Sequence, residues 1–231
     1  MALWPCIARD GKGGDMIGDR VLFLDGEALI IDKPAGLPVD PPRNGGISLE
    51  NHLANLTFGF RRWPHAVHRL DRDTSGCLLL SRNPKAHARL QQAFEAGSVT
   101  KRYLAVLDGV PSGEGGEIDL ALAKVSTAET GWRMTGDPSG KSARTAWRLL
   151  QVQDGHALVE FRPATGRTHQ IRVHALEGLG IPVLGDPVYG RVHPAGMMLH
   201  AAALIVPRAG KADVAAEAPW PARFADVGFD G

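Results

Sequence analysis

Apolar residues along this chain fall mostly into short, strand-length runs punctuated by Gly, Pro and Asp. Residues 21–24 and 28–31 flank Asp25-Gly26, which predicts a hairpin, and Pro34, Gly36 and Pro38 then force a loop. Further strands are expected at residues 66–70, 77–81, 99–107, 145–150, 157–161, 181–184 and 199–206. Only two stretches repeat at helical spacing. One starts at Asn83-Pro84, a cap residue followed by the imino acid that suits the first helical position. Ala86, Leu90, Ala93 and Phe94 share one face of it, and Gly97 is its natural stop. The other covers residues 171–176 and ends by Gly178. In the strand after the first helix, period-two alternation places Lys101, Tyr103 and Ala105 on one face. Strands outnumber helices and hairpin-type links recur, so the pattern predicts an α+β domain with a mainly antiparallel central sheet and flanking helices. Residues 1–20 hold Gly11, Gly13, Gly14 and Gly18 with no periodicity and are read as a flexible leader. Residues 21–231 are read as one domain.

Composition changes this picture little. With 44% hydrophobic and 22% charged residues, the 231-residue chain has the make-up of a globular protein. No apolar run reaches the roughly 20 residues needed to cross a bilayer, and the start lacks a signal-peptide pattern. No membrane association is expected. Cys6 and Cys77 form neither a metal pair nor a disulfide framework, and the expected location is cytoplasmic. The net charge of +1 gives no general pull toward nucleic acid, yet it is unevenly spread. Between Arg61 and Asp108 stand nine basic residues against four acids.

Two apparent motifs lead nowhere. Gly136-Asp-Pro-Ser-Gly-Lys-Ser142 has too few residues between its glycines for a phosphate loop and no apolar strand before it. The nine histidines never pair with a carboxylate at metal-binding helix spacing. No cofactor or metal site is read. The most unusual segment is His68-Arg69-Leu70-Asp71-Arg72-Asp73-Thr74-Ser75-Gly76. A polar turn between apolar strands ordinarily just reverses the chain, whereas a carboxylate among basic side chains also suits an anionic polymer. Spacing alone leaves both open.

That segment resembles the HRLDxxTSG signature of the RluA-type RNA pseudouridine synthases, and three further stretches match in order. Asp32-Lys-Pro-Ala-Gly-Leu37 is similar to the family's DKPxGL element, and Lys101-Arg-Tyr103 to its KxY element. Thr165-Gly-Arg-Thr-His-Gln-Ile-Arg-Val-His174 resembles its GRxHQxRxH element, followed by Gly185-Asp186, Tyr189-Gly190 and Leu199-His200-Ala201. The resemblance runs over nearly the whole chain, from about Val21 to Phe224. It implies a pseudouridine synthase fold with an RNA-binding cleft. The activity implied is isomerisation of uridine in structured RNA, transfer or ribosomal, without cofactor, metal or obligate protein partner. Relatives with an N-terminal S4 RNA-binding domain have no counterpart before Val21, so the chain is similar to single-domain members.

The implied roles follow the matched positions. Asp71 is the catalytic nucleophile, Arg172 its charged partner, and Tyr103 the aromatic residue that stacks on the uracil. Lys101 shares the strand face of Tyr103 and is a substrate-binding candidate. Ile171 and Leu199 are candidate apolar walls of the base pocket. Flipping a uridine out of its stack costs a few kcal/mol, so something must fill the gap; Arg69 matches the position linked to that wedge. Arg72, Arg102 and Arg167 are further candidates for backbone contacts. Substrate choice is expected from loops at residues 41–46 and 126–143. Two other functions stay open: an RNA-binding or RNA-folding factor that does not use the carboxylate, and a hydrolase that releases free uracil.

Overall fold

The computed structural model describes residues 16–127 and 131–230. Strands β1 (Val21–Leu24) and β2 (Ala28–Lys33) make the expected hairpin. Asp25 tightens its turn by accepting the backbone N–H groups of Glu27 and Ala28, each at 2.8 Å. After a short β3 (His65–Ala66) comes β4 (Ser75–Ser81), buried along its whole length. Helix α1 (Pro84–Glu95) begins where the sequence places it, with the Asn83 side chain accepting the Ala86 N–H. Then follow β5 (Thr100–Leu107), β6 (Gly115–Asp119) and the pair β7 (Leu122–Thr127) and β8 (Gly131–Gly136). The long strands β9 (Arg144–Gln153) and β10 (His156–Pro163) lead to α2 (Gln170–Val173), and β11 (Leu199–Val206) and β12 (Val214–Glu217) close the chain.

Ten strands form one sheet with the path β1-β2-β4-β11-β5-β10-β9-β6, while β3 and β12 pair with β4 and β11 off that path. Every pair is antiparallel except β4 with β11, which is parallel over Ser75–His200 and Gly76–Ala201. The expected α+β class with a mainly antiparallel sheet is therefore observed, with one parallel joint at its centre. On one face α1 packs Ala86 and Leu90 over Ile30, Leu79 and Leu204. On the other, a 3₁₀ helix (Leu49–Leu56) packs Leu49, Leu53 and Leu56 over Leu29, Ile31 and Leu78. Tyr103 touches this cluster and the neighbouring one that holds Ala105, Phe161, Ile171 and Leu199. It marks the seam between the two halves of the sheet.

The joint explains the glycine of the polar turn. Gly76 has φ +105, and a Cβ there would lie 2.2 Å from the Ala201 carbonyl oxygen. Backbone cannot move away without breaking the β4–β11 pairing. Gly76→Ala is expected to cost about 3 kcal/mol from crowding and the disfavoured dihedral together, read as a lowered urea midpoint.

Several expectations need correction. The strand expected at residues 66–70 stops at Ala66. Val67 still donates to the Leu79 carbonyl, but the Leu79 N–H goes to the His68 Nε2 at 3.0 Å, which ends the ladder and frees the chain to form a loop. Residues 181–184 are no strand; Pro182 has no N–H to give, and the segment makes one isolated bridge, Val183 to Leu107. The expected loop at 126–143 takes in the end of β7 and all of β8, a pairing hidden in the sequence because its outward positions are polar and half-exposed. The helix at 171–176 is one α-turn that widens into a π turn at His174–Gly178. Of the expected leader, residues 1–15 lie outside the described residues, whereas Ile17–Arg20 forms a 3₁₀ turn with Ile17 buried beside Leu53.

Candidate active site

The loop freed by His68 carries Asp71 to the seam of the sheet. Its Oδ2 accepts a hydrogen bond from Nη1 of Arg172 at 3.0 Å. The guanidinium is only 6% exposed and the carboxylate 25%, so the acid is the member that faces outward. Arg172 is itself held from behind. Its Nε and Nη2 donate to Oδ2 and Oδ1 of Asp186 at 2.6 and 2.8 Å, a two-pronged pair that fixes the plane of the guanidinium. Asp186 is fully buried and Oδ1 also accepts the Val188 and Tyr189 N–H groups, at 2.8 and 3.0 Å. These donors hold the Asp186 carboxyl below its ordinary range despite burial, which alone would raise it. Asp186 and Asp71 in turn keep Arg172 firmly protonated against burial.

Beside this pair stands His169, which the sequence reading named only as a motif letter. It adopts φ 54, the left-handed region, at a cost of about 1–3 kcal/mol for a residue with a side chain. The turn brings its Nε2 within 3.9 Å of Asp71 Oδ2 and its Nδ1 within 2.9 Å of the Tyr189 hydroxyl. Burial lowers its pKa, so the ring is neutral at pH 7. Trp132 on β8 stacks on its outer face, with centroids 5.2 Å apart. The Tyr189 hydroxyl also accepts the Met134 N–H at 2.9 Å, tying the β7–β8 hairpin to the site.

The Asp71 loop is anchored from below. Lys33, fully buried, donates to the carbonyls of Pro34, Leu37 and Arg72 at 2.8, 2.8 and 2.9 Å. Gly36 N–H reaches the same Arg72 carbonyl at 2.9 Å. Burial pulls the ammonium down to about 7, while Asp73 and Asp71 pull it up. The Asp32-Lys33-Pro34 segment thus works as a fastener for the loop that carries Asp71.

Among the other sequence-selected residues, Ile171 and Leu199 are buried in one apolar cluster against which Tyr103 packs, and Tyr103 lies within the field of the Asp71 charge. Burial, then the nearby Asp71 charge, push the Tyr103 phenol well above its usual range, so its hydroxyl stays protonated. The Lys101 ammonium donates to the Thr165 carbonyl at 2.8 Å and is lowered to about 8, chiefly by burial and then by Arg167. Gln170 pins that same loop, accepting from Thr165 Oγ1 and from Arg167 N at 2.8 and 2.9 Å. Arg69 is exposed and donates to Asp40 at 3.0 Å. Arg72 grips its neighbour Asp73 with two bonds of 3.0 Å, and Arg167 donates to the Ser142 carbonyl. Arg102 is paired with Glu217 and Glu160 at the β12 side of the sheet, and none of its partners is a site residue. Among the described residues, no cluster of three His, Cys, Asp or Glu side chains is placed to hold a metal ion.

Two buried imidazoles give the site's scaffold an acid sensitivity. His68, stacked on Phe94 and accepting the Leu79 N–H, is lowered to about 4, mainly by burial. His200, with Nδ1 2.7 Å from the Ser75 hydroxyl, is likewise lowered to about 4 by burial and by Arg223. An unfolded imidazole takes up its proton near pH 6.5, so between 6.5 and 4 the native state binds fewer protons and stability falls with pH. At about 1.4 kcal/mol per unit, each contributes up to about 2 kcal/mol of loss between pH 7 and 5. His68→Gln keeps an acceptor for Leu79 but cannot titrate. Urea unfolding at the two pH values is expected to show its acid loss reduced by about 2 kcal/mol.

A partly exposed carboxylate clamped by a buried guanidinium is an arrangement suited to nucleophilic chemistry. Residues 27–177 match the family described as RNA pseudouridylate synthase. The chain is 57% identical over 217 residues to an uncharacterized RNA pseudouridine synthase of Zymomonas mobilis, covering 93% of this chain and 99% of that one. It is 38% identical over 183 residues to the ribosomal large subunit pseudouridine synthase D of the same organism, covering 74% of this chain and 56% of that one. The fold is similar to human RNA pseudouridylate synthase domain containing 4, with a TM-score of 0.75 and 25% identity over 90% of this chain and 91% of that one. Human RNA pseudouridylate synthase domain containing 1 gives a TM-score of 0.74 and 30% identity over 87% of this chain and 83% of that one. This chain belongs to the RNA pseudouridine synthase family.

Proposed function

We propose that this chain isomerises uridine to pseudouridine in structured RNA of the transfer or ribosomal class in the cytoplasm, with Asp71 as nucleophile. The observation that carries the reading is the 3.0 Å bond from a buried Arg172 to the outward-facing Asp71, with Tyr103 within the field of its charge. The carboxylate adds to an everted nucleotide and the N1–C1′ bond breaks. The base turns on Tyr103, C5 bonds to C1′, the bond to Asp71 breaks and frees the carboxylate, the C5 hydrogen leaves as a proton and N1 gains one. No atom is added or removed, so no co-reactant is needed. Arg172 keeps Asp71 charged and aimed once RNA excludes water.

Tyr103 acts as a platform with a neutral hydroxyl, and Ile171 and Leu199 complete the base pocket. Arg69 leaves Asp40 to occupy the gap in the stack, since an exposed pair of this kind holds at most about 1 kcal/mol. Arg72 and Arg167 meet phosphates, and Lys101 steadies the Thr165 loop beside them. The test is incubation of the protein with bulk transfer RNA and bulk ribosomal RNA in separate reactions. Carbodiimide-stable adducts at defined positions in one class or both are expected; none in either overturns the proposal.

A further inference from the structure

We propose that the loop at residues 57–64 is a second RNA-contact site, which grips the substrate several nucleotides from the target uridine. The inference rests on the RNA reading above. The loop is built around Arg82, only 6% exposed, which donates to the Asp25, Thr57 and Phe58 carbonyls at 2.6, 2.9 and 2.9 Å. The same guanidinium lies 3.8 Å from the centroid of the Phe60 ring. Phe58 and Gly59 take the left-handed conformation at φ 43 and φ 85, which a loop tied down less firmly would relax. Pro64 is buried at the loop's end. A rigid frame therefore presents whatever points outward.

What points outward is two cations and three aromatic rings, of which Phe60 is 38% exposed and held against Arg82. Phe58 is 41% and Trp63 56% exposed. Arg61 and Arg62 are exposed, and neither has an ion pair or hydrogen bond among the described residues. Several exposed arginines sit against acids, as Arg69 does on Asp40, Arg89 on Glu27 and Arg162 on Glu160, whereas Arg61 and Arg62 are adjacent and share their loop with exposed rings. Exposed rings interleaved with free guanidinium groups match the two chemistries of an RNA strand, base faces and phosphates.

The position is right for a distal grip. β3 pairs with Ser81 and Leu80, at the end of β4 away from Gly76, so the loop stands at the far end of that strand from Asp71. Trp63 and Asp71 are eight positions apart in the chain, which bounds the span at about 29 Å, with Arg69 on the way. His65 and Ala66, which follow the loop, line a groove of about 280 Å³ whose walls also include Val39, Asp40, Leu49 and Glu50. Its Asp40 is the residue already met by Arg69.

Filter binding of labelled bulk transfer RNA and bulk ribosomal RNA over a range of salt tests this. Trp63→Ala is expected to weaken binding at least about fivefold by loss of a stacked base, and Trp63→Phe to restore it. Arg61→Ala/Arg62→Ala is expected to flatten the slope of log affinity against log salt by about 1.5, the value for two phosphates. Thermal melting should be unchanged, and so should the single-turnover rate at saturating RNA. Unaltered affinity and slope in both variants would overturn the proposal, as would an effect confined to self-association in sedimentation. Failure of the wild-type protein to bind either RNA would remove the RNA reading itself and this site with it.

Discussion

Asp71→Asn is expected to lose at least about 10⁴-fold in pseudouridine formation while the folded chain and its RNA affinity survive. Asn has the shape of Asp but no nucleophilic oxygen anion, so the covalent step has no agent. Fold is spared because the side chain is 25% exposed and its one strong tie is to Arg172, which keeps its two-pronged bond to Asp186. A half-open ion pair of this kind contributes about 1 kcal/mol or less. RNA affinity should be equal or slightly higher, because one negative charge no longer faces phosphates. Product yield, filter binding and melting temperature, measured on one preparation, check all three parts.

Asp186→Ala is expected to damage both stability and rate. The buried Arg172 would lose its main partner, and uncompensated buried charge costs about 3–5 kcal/mol. The Val188 and Tyr189 N–H groups lose their acceptor at the same time. Any enzyme that still folds at low temperature would aim Arg172 loosely at Asp71, and a fall in kcat of about 100-fold is expected with KM little changed. Asp186→Asn, which still accepts one guanidinium N–H, should recover part of both. A purely structural Asp186 would lower the urea midpoint and leave kcat of the folded fraction intact. Urea titration and single-turnover kinetics separate the two.

How much of this was legible without coordinates differs by element. The α1 start was readable because Asn83 and Pro84 act through neighbours in sequence. The Gly76 requirement was not, since the clash partner is Ala201, far along the chain. Asp71, Tyr103 and Arg172 were selectable only through the family's ordered motifs; composition and periodicity left Asp71 as an ordinary turn residue. The same motifs contained Lys33, His169 and Asp186 without saying what they do. Their roles depend on contacts between segments: three carbonyls for Lys33, an αL backbone for His169, and a buried pairing 14 residues back for Asp186. The β7–β8 hairpin escaped because period-two patterning reports burial, and its strands are mostly half-exposed.

The most direct test of the account follows the hydrogen on C5. Joining C5 to C1′ must expel it, so RNA carrying tritium at C5 of uridine is expected to release one tritium to water per pseudouridine formed, with all uracil retained in the polymer. Wild-type protein that releases free uracil, or that binds RNA and releases no tritium from either RNA class, would contradict the assignment of Asp71 as the nucleophile of an isomerase.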